Sequence, residues 1–347
     1  MKIRHVLGPL PLILLANTAF GQDEAIRQPL SLNWGAPVEK SPRLTLLDEK
    51  WFPPFDDKLF LDKLFLLGKD AGERGAETAM AQAPVVGAED WKSRPYLADR
   101  GDGIHTSLLG TYVRKNELLV YLFYEYTRNR DAEYKPSDFG FASDSDFRAK
   151  KEEHEFLIFV SYAFTNSLMI ELESALYTYA SQSRASGDTS GMPRTFSESG
   201  VGDTEGQIRY RWFEETEVRP ELLSYVGVVF PLQRNKKLIG TQDWEFTAGV
   251  NITKGFPIGT FMFKIGAFYS TGEGKLELGE YGIEYVKRLS DKWRLVAAVE
   301  GDQDEVSAIL EVQYQVTPNI MIKLNSGFGL TSKAPEFAPE IGVLFSF

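Results

Sequence analysis

At 347 residues without a single cysteine, the chain has no disulfide to hold it and no thiol for catalysis or metal binding. Its formal net charge of −11, with no basic tract, argues against nucleic acid as a partner. Hydrophobic residues reach 43 % and aromatics 13 %, yet beyond the leader no stretch offers about 18 consecutive apolar residues, which excludes a bundle of membrane-spanning helices.

The leader itself is short. Lys2 and Arg4 precede an apolar run from Val6 to Ala16, and Ala19 and Gly21 fit a leader-peptidase site, so residues 1–21 read as a secretory signal peptide cut after Gly21. Gly8, Pro9 and Pro11 weaken the run as a helix, and it is too short to span a bilayer. Residues 22–102 have a different texture: a Pro-rich piece KWFPPF, an amphipathic stretch DDKLFLDKLFLLG with Phe60, Leu64 and Leu67 at helical spacing, and an Ala/Gly-rich segment from Ala71 to Ala88. They read as a mostly irregular arm with one or two short helices. Such an arm plugs a lumen, rests on the inner membrane face, contacts a periplasmic partner, or is a loosely ordered tail.

From residue 103 onward the period changes to two. Trp293, Leu295, Ala297 and Val299 alternate with Arg294, Val296, Ala298 and Glu300; Val306, Ala308, Leu310, Val312 and Tyr314 alternate with Ser307, Ile309, Glu311, Gln313 and Gln315. That is a strand period with one greasy face. Many segments run ten residues or longer, the length a tilted strand needs to cross a bilayer, and Tyr and Trp recur near their ends, as in Tyr124, Tyr126, Tyr210, Trp212, Trp244, Tyr269, Tyr285 and Trp293. Tight turns at 164–167, 289–292 and 316–319 alternate with longer polar connectors at 129–153, 181–200 and 233–243. A transmembrane barrel has this asymmetry, with short periplasmic turns and long outside loops.

The predicted strands are 104–113, 117–128, 154–164, 168–181, 203–213, 222–231, 244–254, 259–270, 277–289, 292–301, 305–316, 319–330 and 337–347. Thirteen is odd, and single-chain bacterial barrels are even. The irregular 104–113 segment is the one to drop, which gives twelve, although a hidden partner before it would give fourteen. The expected fold is therefore all-β: a closed antiparallel transmembrane β-barrel over residues 103–347, of about 12 strands, carrying the N-terminal arm. Leu276 and Leu278 fall out of step with Tyr281, Ile283 and Tyr285, which predicts a bulge near Gly279. The strand at 222–231 fits either facing.

Fixing the greasy face outward lists the charges that point in: Glu125, Glu171, Glu173, Glu205, Arg209, Arg211, Glu245, Lys264, Glu280, Glu284, Arg288, Arg294, Glu300, Glu311, Lys323 and Glu340. Facing hydrocarbon, each basic group would cost about 2–4 kcal/mol near the midplane. Ten of the sixteen are acidic and six basic, so the lumen prefers cations or neutral polar solutes to anions. In a barrel this narrow the same charges equally serve as ladders that fill the interior and brace the wall.

Catalytic and cofactor chemistry is thin. After the leader only His105 and His154 remain, and EEHEF places His154 near the outside rim, with Ser161 and Ser174 on neighbouring strands but at no spacing that ties them to it. GDQDE at 301–305 clusters carboxylates that suit a solvated outside loop, a divalent ion or the metal-bridged lipopolysaccharide of the outer leaflet. Zinc, haem and phosphate-cradle patterns are absent, so no cofactor and no enzymatic activity is expected.

Two resemblances carry the reading further. The terminal PEIGVLFSF, apolar at Ile341, Val343, Phe345 and Phe347, resembles the signal that barrel-assembly machinery reads in the last strand of Gram-negative outer-membrane barrels. SGVGDTEGQIRYRWF (199–213) and VVFPLQRNKKLIGTQDWEFTAGVNITKGF (228–256) resemble outer-membrane transporters grouped with the phenol-degradation meta-pathway proteins, which show a Gly-Asp, a strand ending in Tyr-Arg and a loop with Gly-Thr. These resemblances imply location in the outer membrane, contact with its lipid and lipopolysaccharide, and passage of small solutes, hydrophobic or aromatic ones among them. The alternative is a plugged barrel with structural or binding duty.

Overall fold

The computed structural model describes residues 99–100, 105–110 and 114–347; the expected signal peptide and nearly all of the arm lie outside them. Thirteen strands follow in order: β1 (Leu118–Tyr134), β2 (Phe147–Ala163), β3 (Leu168–Ser183), β4 (Thr195–Gly200), β5 (Thr204–Phe213), β6 (Glu221–Val229), β7 (Glu245–Phe256), β8 (Gly259–Ser270), β9 (Lys275–Arg288), β10 (Trp293–Asp302), β11 (Glu305–Thr317), β12 (Ile320–Gly329) and β13 (Ala338–Ser346). Each pairs antiparallel with its neighbours, and β1 closes the ring by pairing with both β2 and β13.

The ring has twelve strands because β4 adds none. β3 pairs with β5 over Leu168–Ser174 and with β4 over Thr178–Ser183, so β4 is the outward continuation of β5. The join is a bulge: Gly202 N donates to Ala175 O and Ala175 N to Asp203 O, both at 2.8–2.9 Å. A side chain at Gly202 would collide with Thr178 Oγ1 and the Ala175 methyl, so only glycine lets the two strands approach there. The predicted 104–113 strand does not join the wall; its described residues, 105–110, lie elsewhere, as set out below.

Alternation between two solvents explains the strands. On β11, Leu310 and Val312 are 55 % and 38 % exposed on the outer face, while Glu311 and Gln313 between them are 0 % exposed within the lumen. In hydrocarbon no water satisfies backbone amides, so a span of this kind holds only as a closed ladder. Aromatic pairs sit near both ends of the outer face: Tyr210–Trp212 and Trp293–Tyr314 beside the short turns, Phe328–Phe337 toward the long loops. On β9 the predicted bulge is present, with Gly279 and Glu280 together opposing Gly266 between the pairs Ile265–Tyr281 and Ala267–Leu278. The facing of β6 is settled too. Leu223 and Tyr225 are buried inside, and Val226 is 62 % exposed outside.

Two long connectors turned out to be more ordered than the sequence suggests. Residues 129–134 and 147–153 continue β1 and β2 as a hairpin beyond the apolar band, so the expected 129–153 loop shrinks to a tip at 135–146. The 181–200 connector carries β4. Phe139 from that tip and Phe196 from β4 pack on Leu238 and Ile239 of the β6–β7 loop. Glu198 Oε2 accepts from the amides of Lys237 and Leu238 at 2.6–2.7 Å, and Asp203 Oδ1 from Thr241 N at 2.5 Å. Gly240 at φ +65° supplies the left-handed turn that delivers Thr241. The Gly-Asp and Gly-Thr dipeptides thus meet as a loop clasp.

At the other end, Leu118 N donates to Phe347 O (3.1 Å) and Phe347 N to Leu118 O (2.9 Å). The last residue therefore helps close the seam, and its ring, 70 % exposed, stacks beside Phe345 at 6.4 Å on the outer face.

Leu310→Lys places a cation on the hydrocarbon face and is expected to lower unfolding free energy in lipid vesicles by about 2–4 kcal/mol. Glu305→Lys in the outer turn is expected to shift it by less than about 0.5 kcal/mol. Urea titrations followed by tryptophan fluorescence compare the two, and equal effects would contradict the assigned facing of β11.

Candidate functional site

Inside the ring the wall differs from end to end. Near the short turns, Leu119, Tyr121, Phe123, Leu157, Met169, Leu223, Met321 and Leu344 form a buried apolar cluster. Outward of it lies a cavity of about 280 Å³ whose wall is polar. Nine of the sixteen charges listed from the sequence border that cavity: Glu125, Glu171, Glu173, Glu205, Arg209, Lys264, Glu280, Lys323 and Glu340. Some are paired. Arg209 Nε meets Glu171 Oε2 at 2.6 Å, Lys323 Nζ meets Glu311 Oε2 at 3.1 Å, Lys264 pairs with Glu280, and the Tyr121 phenol donates to Glu340.

The other seven lie around it. Glu284, Arg294 and Glu311 are buried among lumen side chains, with Glu311 accepting from Gln313 Nε2 (2.6 Å) and Asn325 Nδ2 (3.3 Å). Arg211 serves the short-turn rim, meeting Glu221 at 3.1 Å and donating to Asn166 O at 2.7 Å. Arg288 belongs to the turn at 289–292, where its guanidinium meets Asp291 at 2.5 Å. Glu245 accepts from Thr241 Oγ1 (2.9 Å) at the outer mouth, and Glu300 stands opposite Gly282 on the β10–β9 ladder.

The segment 105–110 occupies the lumen rather than the wall. A carboxylate holds it: Glu284 Oε2 accepts from the amides of Leu108 (2.7 Å) and Leu109 (3.0 Å). Asn251 Nδ2 donates to Leu109 O at 2.6 Å, and the Leu109 side chain, 4 % exposed, packs on Met262. Ser107 and Gly110 close a turn, with Ser107 N donating to Gly110 O at 3.0 Å and Gly110 N to Ser107 Oγ at 2.8 Å. Two successive amides aimed at one anion make a small backbone nest, a turn geometry that no strand provides. Asp99 Oδ1 accepts from Arg288 N (2.9 Å), Arg100 Nη2 meets Glu215 Oε2 (2.5 Å), and Asn116 N donates to Ala163 O (2.7 Å). The chain thus passes the short-turn rim on both sides of its excursion.

Sequence reasoning missed the neutral lining. Asn251 and Tyr225 carry no charge and fall outside the inward charges counted from the sequence, and Gln313, on the mixed face of its strand by alternation, gave no sign of its partners. Tyr225, 2 % exposed, lies between Arg209 Cζ (5.8 Å) and Lys264 Nζ (5.0 Å), and glycines 249 and 266 leave the room its phenol needs. A signal was available: two inward glycines on adjacent strands mark a close approach.

The residues weighed for catalysis do not converge. His154 Nδ1 is 2.7 Å from Tyr124 OH and its ring lies against Tyr126 and Tyr179 on the outer face, whereas Ser161 is fully buried on the lumen face of the same strand. Ser174 Oγ meets Thr204 Oγ1 at 2.7 Å. In the 301–305 turn Asp304 pairs with Lys333 at 2.6 Å, and that bond holds its carboxyl below the usual range. Among the described residues no three His, Asp or Glu side chains gather as metal ligands.

No family model and no curated protein matches the chain. Solved structures do. An outer membrane channel from Pseudomonas putida F1 aligns with 13 % identity and a TM-score of 0.49 over 70 % of this chain and 100 % of that one. KdgM porin aligns with 9 % identity and a TM-score of 0.40 over 66 % and 99 %, and outer membrane phospholipase A from Escherichia coli with 10 % and 0.36 over 73 % and 98 %. With a closed twelve-strand ring, an apolar outside and a charged inside, the chain has the fold of a transmembrane β-barrel.

Proposed function

We propose that the protein is a passive outer-membrane channel for small solutes, with no enzymatic role, whose flow is limited by the 105–110 segment. The observation that carries this reading is the polar cavity inside the ring: a barrel serving only as a wall has no need of an unfilled, charged interior next to its axis. Six glutamates against three basic residues border that cavity, which favours cations and neutral solutes over anions. A second cavity of about 480 Å³ toward the long loops, lined by Glu153, Asp304 and Glu305 against Lys151 and Lys333 among others, is the entry vestibule in this reading.

The competing reading is a closed barrel, and the grip of Glu284 and Asn251 on 105–110 favours it. The outer strands would carry two further contacts: Ile341, Val343, Phe345 and Phe347 toward the barrel-assembly machinery, and the outer leaflet's lipid and lipopolysaccharide around the long-loop rim.

In planar bilayers the full chain is expected to give small, cation-selective steps. Deleting Thr106–Gly110, or replacing Glu284 with Ala, is expected to enlarge the steps several-fold with selectivity kept; silence from all three proteins would leave only the closed barrel. For assembly, Phe347→Ser is expected to lower the folded, heat-modifiable fraction in outer membranes, whereas Leu330→Ser, also outward but remote from the terminus, is expected to leave it unchanged.

A further inference from the structure

Two pairs of carboxylates stand directly opposed on the inner wall. Glu173 faces Glu205 across β3 and β5, and Glu125 faces Glu340 across β1 and β13; all four border the same cavity. Like charges directly opposite one another weaken an antiparallel ladder. Glu171, Glu221, Glu280 and Glu311 on the inner wall are each matched with a cation, whereas no side chain among the described residues pairs with or hydrogen-bonds to Glu173 or Glu205. Glu125 takes only the Thr127 hydroxyl (3.0 Å), while Glu340 takes the Tyr121 phenol and the Asn325 amide, with the Lys323 ammonium near it.

A separate observation points the same way. Glu171 is 6 % exposed, borders this cavity, and spends Oε2 on Arg209 while its Oε1 has no partner. A buried acceptor left open costs stability that a donor recovers. Aromatic rings share the wall: Tyr121, which already carries Lys323 Nζ at 4.8 Å, stacks on Phe123 at 4.5 Å and 12°, and Phe159 stands beside them. Faces of that kind attract cations and cover apolar bodies. A bare metal ion is a poor fit, because no three carboxylates converge as ligands among the described residues. Arg209 Nη1 is also without a partner, so an anion is the occupant to be tested against.

We propose that this cavity binds an organic cation, an ammonium or guanidinium group carried on an apolar body, between the Glu173–Glu205 and Glu125–Glu340 pairs and against Phe123 and Phe159. The proposal names the solute class of the channel reading and rests on it. It does, however, have its own readout.

Calorimetry on the full chain in detergent, with benzylammonium as probe and benzyl alcohol and benzoate as neutral and anionic controls, needs no current. Benzylammonium is expected to bind saturably and the controls weakly or not at all. In the double variant Glu173→Gln/Glu205→Gln, which keeps side-chain shape, its affinity is expected to fall about tenfold or more, the worth of one charge-assisted contact. A heat-modifiability gel confirms that the variant is folded, and Glu125→Gln/Glu340→Gln serves in its place should it not be. Absence of saturable benzylammonium binding, unchanged affinity in the folded variant, or equal binding of benzoate would each overturn the proposal. Binding without conductance would sink the channel reading while leaving this site standing, and conductance without binding would do the reverse.

Discussion

Everything in this molecule depends on the ladder between β1 and β13. A strand edge left open in hydrocarbon exposes a row of unpaired amides and carbonyls, each at a cost of several kcal/mol. The seam from Leu119–Ser346 to Glu125–Glu340, extended by the reciprocal bonds of Leu118 and Phe347, removes that edge. Once the ring is shut, the odd and even residues of every strand face different media, and side-chain chemistry has to follow.

The inner medium is not simply water. Arg209, Lys264 and Lys323 are at most 8 % exposed, as are Glu171, Glu284 and Glu311. Burying charge to this degree costs more than pairing returns unless the geometry is good, so these pairs contribute little net stability while intact. What they provide is position. Lys323 is held by Glu311 over the Tyr121 ring at 4.8 Å, and Arg209 is held by Glu171 beside Tyr225. Glu284 does the reverse: its charge is matched by backbone amides, and so it grips a loop rather than bracing the wall.

The sequence made the twelve wall strands legible where hydrocarbon enforces alternation, because there a wrong-facing side chain is expensive. It was less informative where the chain leaves the membrane. The extension of β1 and β2 reads RNRDAEY and FRAKKEE, polar on both faces, and so looks like loop although it is paired. TFSESG of β4 is opaque for the same reason. The 105–110 segment misleads differently: it contacts lumen side chains on several sides at once, so neither a period of two nor one of 3.6 is imposed on it. Charged lumen positions were readable from parity. Neutral ones such as Asn251 and Gln313 share that parity, but an amide is tolerated in many settings and only its partners reveal its role.

The excursion that carries residues 105–110 is held at one rim on both sides, by Asp99 and Arg100 before it and by Asn116 after it. A peptide that entered at one mouth and left at the other would have to be threaded, and the wall would have to be built around it. Here the β1–β13 seam is made without any residue of 105–110, and the segment's own bonds go to Glu284 and Asn251, so closing the cylinder and seating the segment rest on separate sets of contacts.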